Sequence, residues 1–256
     1  MMHALVTGMN GTVAPALGAS LARRGWRVSA WDRVSHPPDG REAVDALIDD
    51  LSPSLVCHVA TGAPEWAGWI AKVCAARSIP LLWTGSVSVF GTRHTPPFSP
   101  AFEPDAQDDY GRYKIDCERR VLEANPSAIV ARLGWQIGAG VGSNTMTDFL
   151  ARAAAKAAGR VEASSAWIPS CAMLTDSAEA MTDLAVRARP GVYHLEGNRS
   201  GLSFFEIARR IARLLGEPWS VVPVEAPAMD NRMADARVSM RQVEETLAAA
   251  LAPRVG

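Results

Sequence analysis

An excess of charge of either sign is what this sequence most plainly lacks. Its 256 residues carry 26 Lys and Arg against 27 Asp and Glu, a formal net charge of −1. No basic run or stripe stands out, which removes the electrostatic basis for binding nucleic acid or a membrane surface. Cysteine is scarce and scattered: Cys57, Cys74, Cys117 and Cys171 lie far apart with no CxxC pair. That spacing argues against a zinc site or a disulfide framework and fits reduced thiols, so no metal is expected. No apolar run is as long as a membrane span. The opening "MMHALVTG" enters an apolar strand at once, which leads to the expectation of no cleaved leader and a cytoplasmic protein. What is present is ordinary for a soluble chain with a sizeable core, 48% hydrophobic and 21% charged residues. The length suits one large α/β domain, or one with a small appendage.

The first half alternates short apolar runs with longer amphipathic ones. "HALVT", "WRVSAWD", "SLVCHVA", "PLLWTGS" and "SAIVARLG" read as strands. Between them "GTVAPALGASLARRG", "REAVDALIDDL", "EWAGWIAKVCAARS" and "YGRYKIDCERRVLEAN" read as helices. Near-continuous apolar strands alternating with helices predict a parallel sheet covered on both faces. The predicted fold is therefore α/β, a Rossmann-type doubly wound parallel sheet with a small C-terminal substrate-binding lid. Residues 1–134 would form the NAD(P)-binding domain and 135–256 the substrate-binding part. A segment near 190–197, "GVYHLEG", would return to the main sheet. "MTDFLARAAAKAAG", "SAEAMTDLAVRA" and "SFFEIARRIARLLG" read as helices, the last capped by Ser203. The Pro-rich "EPWSVVPVEAPAMDNR" is expected to be an irregular crossing.

In "VTGMNGTVA", residues 6–14, Gly8 and Gly11 stand between the first strand and the first helix. Glycine there lets the backbone turn sharply and approach a pyrophosphate, which meets the free N–H groups of a helix N-terminus. Asn10 and Thr12 share the turn, and Ala14 is the small residue where helix and sheet pack. A glycine-rich turn alone is common; its place between strand and helix gives it meaning. The second strand ends in "WDR". Asp32 suits the adenosine ribose hydroxyls and Arg33 a 2′-phosphate, while a solvated charge pair accounts for both equally well. The expected cofactor is NADPH or NADH, with the preference open.

"YGRYK" places Tyr110 and Lys114 at i and i+4, on one helix face. An ammonium beside a phenol favours the phenolate and would lower its pKa from about 10 toward neutrality. The pair would then act as a general acid toward an alkoxide. An ordinary half-exposed helix also contains such pairs, so the neighbours decide. The preceding strand ends in "WTGSVSVFG", small and hydroxyl residues at the carboxyl edge of the sheet, where ligands bind in this fold.

"TGMNG", "VCHVAT", "TGSVSVFG", "YGRYKIDCERRVLEANPSAIVARLGW", "GVYHLEG" and "SFFEIARRIA" together resemble the extended short-chain dehydrogenase/reductases. Within them the chain is similar to the dTDP-4-dehydrorhamnose reductase group of sugar-nucleotide reductases. The resemblance implies NAD(P)H-dependent reduction of the 4-keto group of a nucleotide-linked deoxysugar. By position, Tyr110 would be the acid and Lys114 would hold the nicotinamide ribose and tune Tyr110. Ser86 would be the hydroxyl partner, with Ser88 its less favoured substitute. Gly8, Asn10, Gly11, Thr12, Asp32 and Arg33 would line the adenosine side, and Ala60, Thr61 and Gly85 the rest of the cofactor. Ser86, Ser88, Trp135, Asn144 and Arg232 would meet the substrate. Trp135 is either a wall of the sugar pocket or a core aromatic, and Arg232 either a diphosphate ligand or a surface arginine.

The chain also departs from that family. It is shorter; "GAPEW" replaces an acidic cluster, which weakens the case for a metal-assisted dimer contact; and "WIPSCAM" and "NRMADAR" replace the segments expected to close on the sugar. A homodimer stays open as an assembly. Two other functions stay open with it. One is a redox-neutral epimerase or dehydratase, which usually needs a further acid or base where this chain has Val87. The other is a non-catalytic, cofactor-binding regulatory subunit, a role known in methionine adenosyltransferase.

Overall fold

Strands that are apolar on both sides need cover on both sides, and here they have it. The computed structural model describes residues 2–139, 142 and 144–251. The main unit runs β1 (His3–Thr7), α1 (Val13–Arg23), β2 (Arg27–Ala30), α2 (Arg41–Leu51), β3 (Leu55–His58), α3 (Pro64–Ala76), β4 (Leu81–Ser86), α4 (Asp109–Ala124) and β5 (Ile129–Leu133). All five residues of β1 are buried, and alternate ones serve different layers. Ala4 and Val6 join one core, and Leu5 joins another with α2, α3 and α4.

The chain then passes through β6 (Trp135–Ile137), α5 (Met146–Lys156), β7 (Arg160–Ser164), β8 (Trp167–Ile168) and β9 (Cys171–Met173). It continues with α6 (Leu174–Arg187), β10 (Gly191–Leu195), α7 (Phe204–Leu215), β11 (Ser220–Val224), β12 (Met229–Asp230) and α8 (Val243–Leu251). The six-stranded sheet has the order β10-β5-β4-β3-β1-β2, with every neighbouring pair parallel. β10 pairs with β5 from Gly191↔Ile129 to Leu195↔Leu133. α6 supplies Met181 and Leu184 to the core that α1 covers with Leu17 and Leu21. One strand after residue 134, β10, thus belongs to the main sheet, and α6 packs on it. The chain leaves β1 toward β2 and later resumes on the other side at β3. That reversal opens a crevice at the carboxyl ends of β1 and β3.

The remaining elements enclose a smaller core of Ile137, Leu150, Val161, Phe204 and Ile207, among others. α7 is fixed at its start by a capping box, in which Ser203 and Glu206 exchange hydrogen bonds with each other's backbone. Three short parallel ladders, β6 with β9, β7 with β11 and β8 with β12, complete this part. The Pro-rich segment is therefore not irregular throughout, because β11 and β12 both lie in it. Among the described residues β11 pairs only with β7, so Pro223 sits in an edge strand where its missing N–H costs no interior ladder bond. No described helix is long and apolar enough to cross a membrane.

Candidate active site

The turn after β1 is shaped by close backbone approach. Gly8 has φ +84°, and a Cβ on it would lie 3.0 Å from the Ala60 backbone. The Gly11 N–H donates to the Gly8 carbonyl at 2.8 Å. Thr12 stands at the N-cap of α1 but gives it no side-chain hydrogen bond, so the first-turn N–H groups lack the usual side-chain acceptor. Close backbone packing that only glycine allows at position 8, next to a helix N-terminus with no side-chain cap, fits a pyrophosphate.

Thr7 and His58, at the ends of β1 and β3, hold the wall beside that turn. Thr7 Oγ1 accepts the N–H groups of Val59 at 2.9 Å and Ala60 at 3.0 Å, and bonds His58 Nδ1 at 2.8 Å. Burial, helped by the Lys114 and Arg33 charges, pushes the His58 pKa down to about 3, so this imidazole stays neutral. At the end of β2, the Asp32 carboxylate accepts from the Val34 N–H at 2.9 Å and the Ser35 hydroxyl at 2.6 Å. Arg33 donates to the Thr61 carbonyl at 3.1 Å and lies over the Trp66 ring.

α4 is aimed by its first turn. Asp108 caps it, with its carboxylate accepting the Gly111 N–H at 2.9 Å. A Cβ on Gly111 would come within 2.3 Å of the Ala106 Cβ and 2.4 Å of the Ser88 carbonyl oxygen. Only glycine lets the helix start press against the Ser86–Ser88 turn. Gly111→Ala is therefore expected to push Tyr110 away from Ser86 and lower kcat/KM about 100-fold, since displacements of about 1 Å act on that scale. Steady-state kinetics with a parallel thermal melt checks this.

Ser86 ends β4, and its Oγ accepts the Ser88 N–H at 3.1 Å, which leaves its own proton free to donate. Lys114 is buried, donates to the Thr84 carbonyl at 3.0 Å and lies 5.0 Å from the Trp83 ring centroid. Burial lowers its pKa to about 8, against the opposing pull of Cys117 and Glu118. Tyr110 stays 49% exposed at the cleft surface. Its pKa is raised, not lowered: desolvation of the phenol dominates, and the Ser86 hydroxyl pulls the other way. The expected effect of Lys114 on the phenol is thus corrected, since the ammonium is turned to the Thr84 carbonyl. Tyr113 lies off this face, and its hydroxyl accepts the Gly62 N–H at 3.1 Å.

One cleft of about 1020 Å³ is lined by every residue that the sequence nominated, Arg232 excepted. Asn144 meets the glycine turn through its N–H, 3.2 Å from Thr12 Oγ1. Trp135 answers to both of its descriptions. It lines the cleft and also stacks on Trp167 at 6.0 Å and Phe204 at 5.8 Å. Arg232 is held instead by Asp230, at 2.7 Å, and by the Arg199 carbonyl at 3.0 Å. Its neighbour Asn231 lines the cleft in its place. Sequence reasoning also missed Gln136, Trp167 and Ser170 on the cleft wall. "WIPSCAM" was the available signal for the last two.

The chain is 28% identical to the probable low-salt glycan biosynthesis reductase Agl14 of Haloferax volcanii, over 58% of this chain and 58% of that one. It is 30% identical to methionine adenosyltransferase 2 subunit beta of Xenopus laevis, over 51% of this chain and 46% of that one. It is also 30% identical to the dTDP-4-dehydrorhamnose reductase of Mycolicibacterium smegmatis, over 60% and 51% respectively. The matches thus span about half the length of these curated relatives. The crystal structure of the Bacillus anthracis dTDP-4-dehydrorhamnose reductase in complex with NADP superposes with a TM-score of 0.84. It covers 96% of this chain and 97% of that one at 18% identity, a likeness of fold. The sequence model of the RmlD substrate-binding domain matches residues 65–253, most of the chain, and this protein belongs to that family.

Proposed function

We propose that the protein is an NAD(P)H-dependent reductase that reduces the 4-keto group of a nucleotide-linked deoxysugar, with Tyr110 as the general acid. The observation that supports it is one cleft bordered at one end by the glycine turn and at the other by Ser86, Tyr110 and Lys114. When bound, a reduced nicotinamide supplies hydride. The Gly8–Thr12 turn and the uncapped start of α1 receive the pyrophosphate. Asp32 and Arg33 lie toward the adenosine ribose. Lys114 holds the nicotinamide ribose, and Ser86 donates to the substrate carbonyl oxygen. Tyr110 gives that oxygen its proton and, being half exposed, takes another from solvent. A phenol is neutral at neutral pH, the protonation state a proton donor needs.

Lys114 is useful as an ammonium, so kcat/KM is expected to fall as pH rises through about 8, where this group loses its proton. Lys114→Arg, which stays charged, is expected to remove that alkaline limb in a pH–rate profile.

The proposal is tested by titrating the protein with NADPH and NADH, then following nicotinamide absorbance after adding dTDP-4-dehydrorhamnose. Saturable binding with consumption of the reduced cofactor supports the reductase. Tight binding without consumption favours the regulatory-subunit alternative, and binding of neither nucleotide ends the reductase reading.

A further inference from the structure

One side chain on the cleft wall has a donor to spare. Asn231 follows β12, is half-buried and lines the cleft. Its backbone is pinned to β8, with the Asn231 N–H donating to the Ile168 carbonyl at 3.1 Å. Its Oδ1 accepts two donors, the Ser170 N–H at 3.0 Å and the Trp167 indole N–H at 3.2 Å. Only the oxygen of an amide can accept, so the direction of the group is settled. That leaves Nδ2, whose two N–H bonds find no acceptor among the described residues. Nor is Nδ2 among the polar atoms shut away from solvent, as Gln136 Oε1 on the same wall is. The fold uses only half of this amide. An aspartate would accept the same two N–H groups, and a charged acceptor does so more strongly, so folding gives no reason for the nitrogen.

The surroundings say which acceptor suits it. A phosphate calls for a cation, and the adjacent guanidinium, Arg232, is already held by Asp230 at 2.7 Å and by the Arg199 carbonyl at 3.0 Å. The described Lys and Arg on the cleft wall, Arg33 and Lys114, are assigned to the cofactor and reaction ends. Beside Asn231 stand apolar rings instead. Trp167 is held by the same amide, and Trp135 stacks on it at 6.0 Å and 20°. A neutral donor next to aromatic faces matches an uncharged oxygen on a sugar ring.

We propose that Asn231 is a specificity-determining residue, whose Nδ2 donates to a hydroxyl or ring oxygen of the sugar. Trp167, fixed by the same side chain, bounds the ring. The proposal rests on the nucleotide-sugar reductase reading and names the group that reads the sugar.

Product binding tests it without turnover. Wild type, Asn231→Asp and Asn231→Ser are titrated by calorimetry with dTDP-rhamnose and with dTDP. Aspartate keeps an acceptor for Ser170 and Trp167 and exchanges the donor for a second acceptor. Serine removes the donor without adding charge. The readout is the ratio of the two dissociation constants, because a charge felt by the diphosphate weakens both ligands alike and cancels. In wild type dTDP-rhamnose should bind more tightly than dTDP, and in both variants that advantage should shrink about tenfold. The melting temperature of Asn231→Asp without ligand should match that of wild type, since both N–H groups keep their acceptor. A ratio unchanged in the variants would overturn the proposal, as would equal affinity of wild type for the two ligands. A proportional loss of both ligands in Asn231→Ser would move Asn231 to the diphosphate and overturn it too. A shrunken ratio without nicotinamide consumption defeats the reductase reading alone, and consumption with an unchanged ratio defeats this one alone.

Discussion

Tyr110→Phe should lower kcat by a factor of about 10²–10⁴, the range that a positioned general acid contributes. NADPH affinity should change little. The ring remains, so packing beside Tyr113, whose centroid lies 6.3 Å away, is preserved and only the proton is lost. Because the proton moves only in the transition state, kcat and kcat/KM should fall together. A rise in KM with kcat unchanged would instead make Tyr110 a binding residue. Desolvation raises the pKa of a phenol that is already neutral at neutral pH. An essential group with a pKa well below neutrality would therefore contradict its assignment to Tyr110.

The second large effect lies behind the cleft. Arg132 on β5 and Glu118 on α4 form a buried ion pair, with Arg132 Nε donating to Glu118 Oε2 at 3.0 Å. The same guanidinium donates to His194 Nε2 at 3.1 Å, and His194 Nδ1 donates to the Phe98 carbonyl at 3.0 Å. Burial and the Arg132 charge push the His194 pKa down to about 4, so the imidazole remains an acceptor at neutral pH. This chain of contacts ties the helix that carries Tyr110 and Lys114 to β5 and β10. Glu118→Ala strands a buried guanidinium and should cost about 3–5 kcal/mol. For a chain of this size that is a melting temperature lower by roughly 10 °C. The double replacement Glu118→Leu with Arg132→Met should recover much of the loss, because two apolar groups leave no charge uncompensated. Denaturant melts of wild type and the two variants decide the matter. A loss below about 1 kcal/mol in Glu118→Ala would mean that the pair behaves as an exposed one.

The sign of the pH dependence follows from the same burial. His58 and His194 have folded pKa values of about 3 and about 4, below the ordinary 6.5. The unfolded chain then binds more protons between those values, so these two groups make stability rise with pH up to about 6.5. Glu196, raised to about 7 by burial, acts oppositely and makes stability fall as pH climbs from about 4.5 through 7. Removing Glu118 also changes the field at His194, so the melts belong at one fixed pH.

What the sequence made legible was local. Gly8 and Gly11 sit within one turn, and Tyr110 and Lys114 within one helical turn, so spacing alone brought each set together. β1, β3, β4 and β5 were legible because burial on both faces leaves continuous apolar runs, whereas β2 is an edge strand with exposed ends. β6, β8, β9 and β12 have two or three residues each, too few to show a period of two. Their pairings bring Gln136, Trp167, Ser170 and Asn231 to the cleft from distant parts of the chain. Of the two descriptions of Arg232, diphosphate ligand or surface arginine, the first came from guanidinium chemistry, but Asp230, two residues away, holds that charge and Arg232 does not line the cleft. The i,i+4 rule placed Tyr110 and Lys114 on one face, but it carried no information about the Thr84 carbonyl to which the lysine is bound.

The most direct test is to supply NADPH deuterated at the transferable position of its nicotinamide, with dTDP-4-dehydrorhamnose, and to analyse the recovered sugar. Direct hydride transfer predicts one deuterium on the former keto carbon and oxidised cofactor in equal amount. Recovery of the label on unconsumed NADPH, with the sugar unlabelled, would contradict the account.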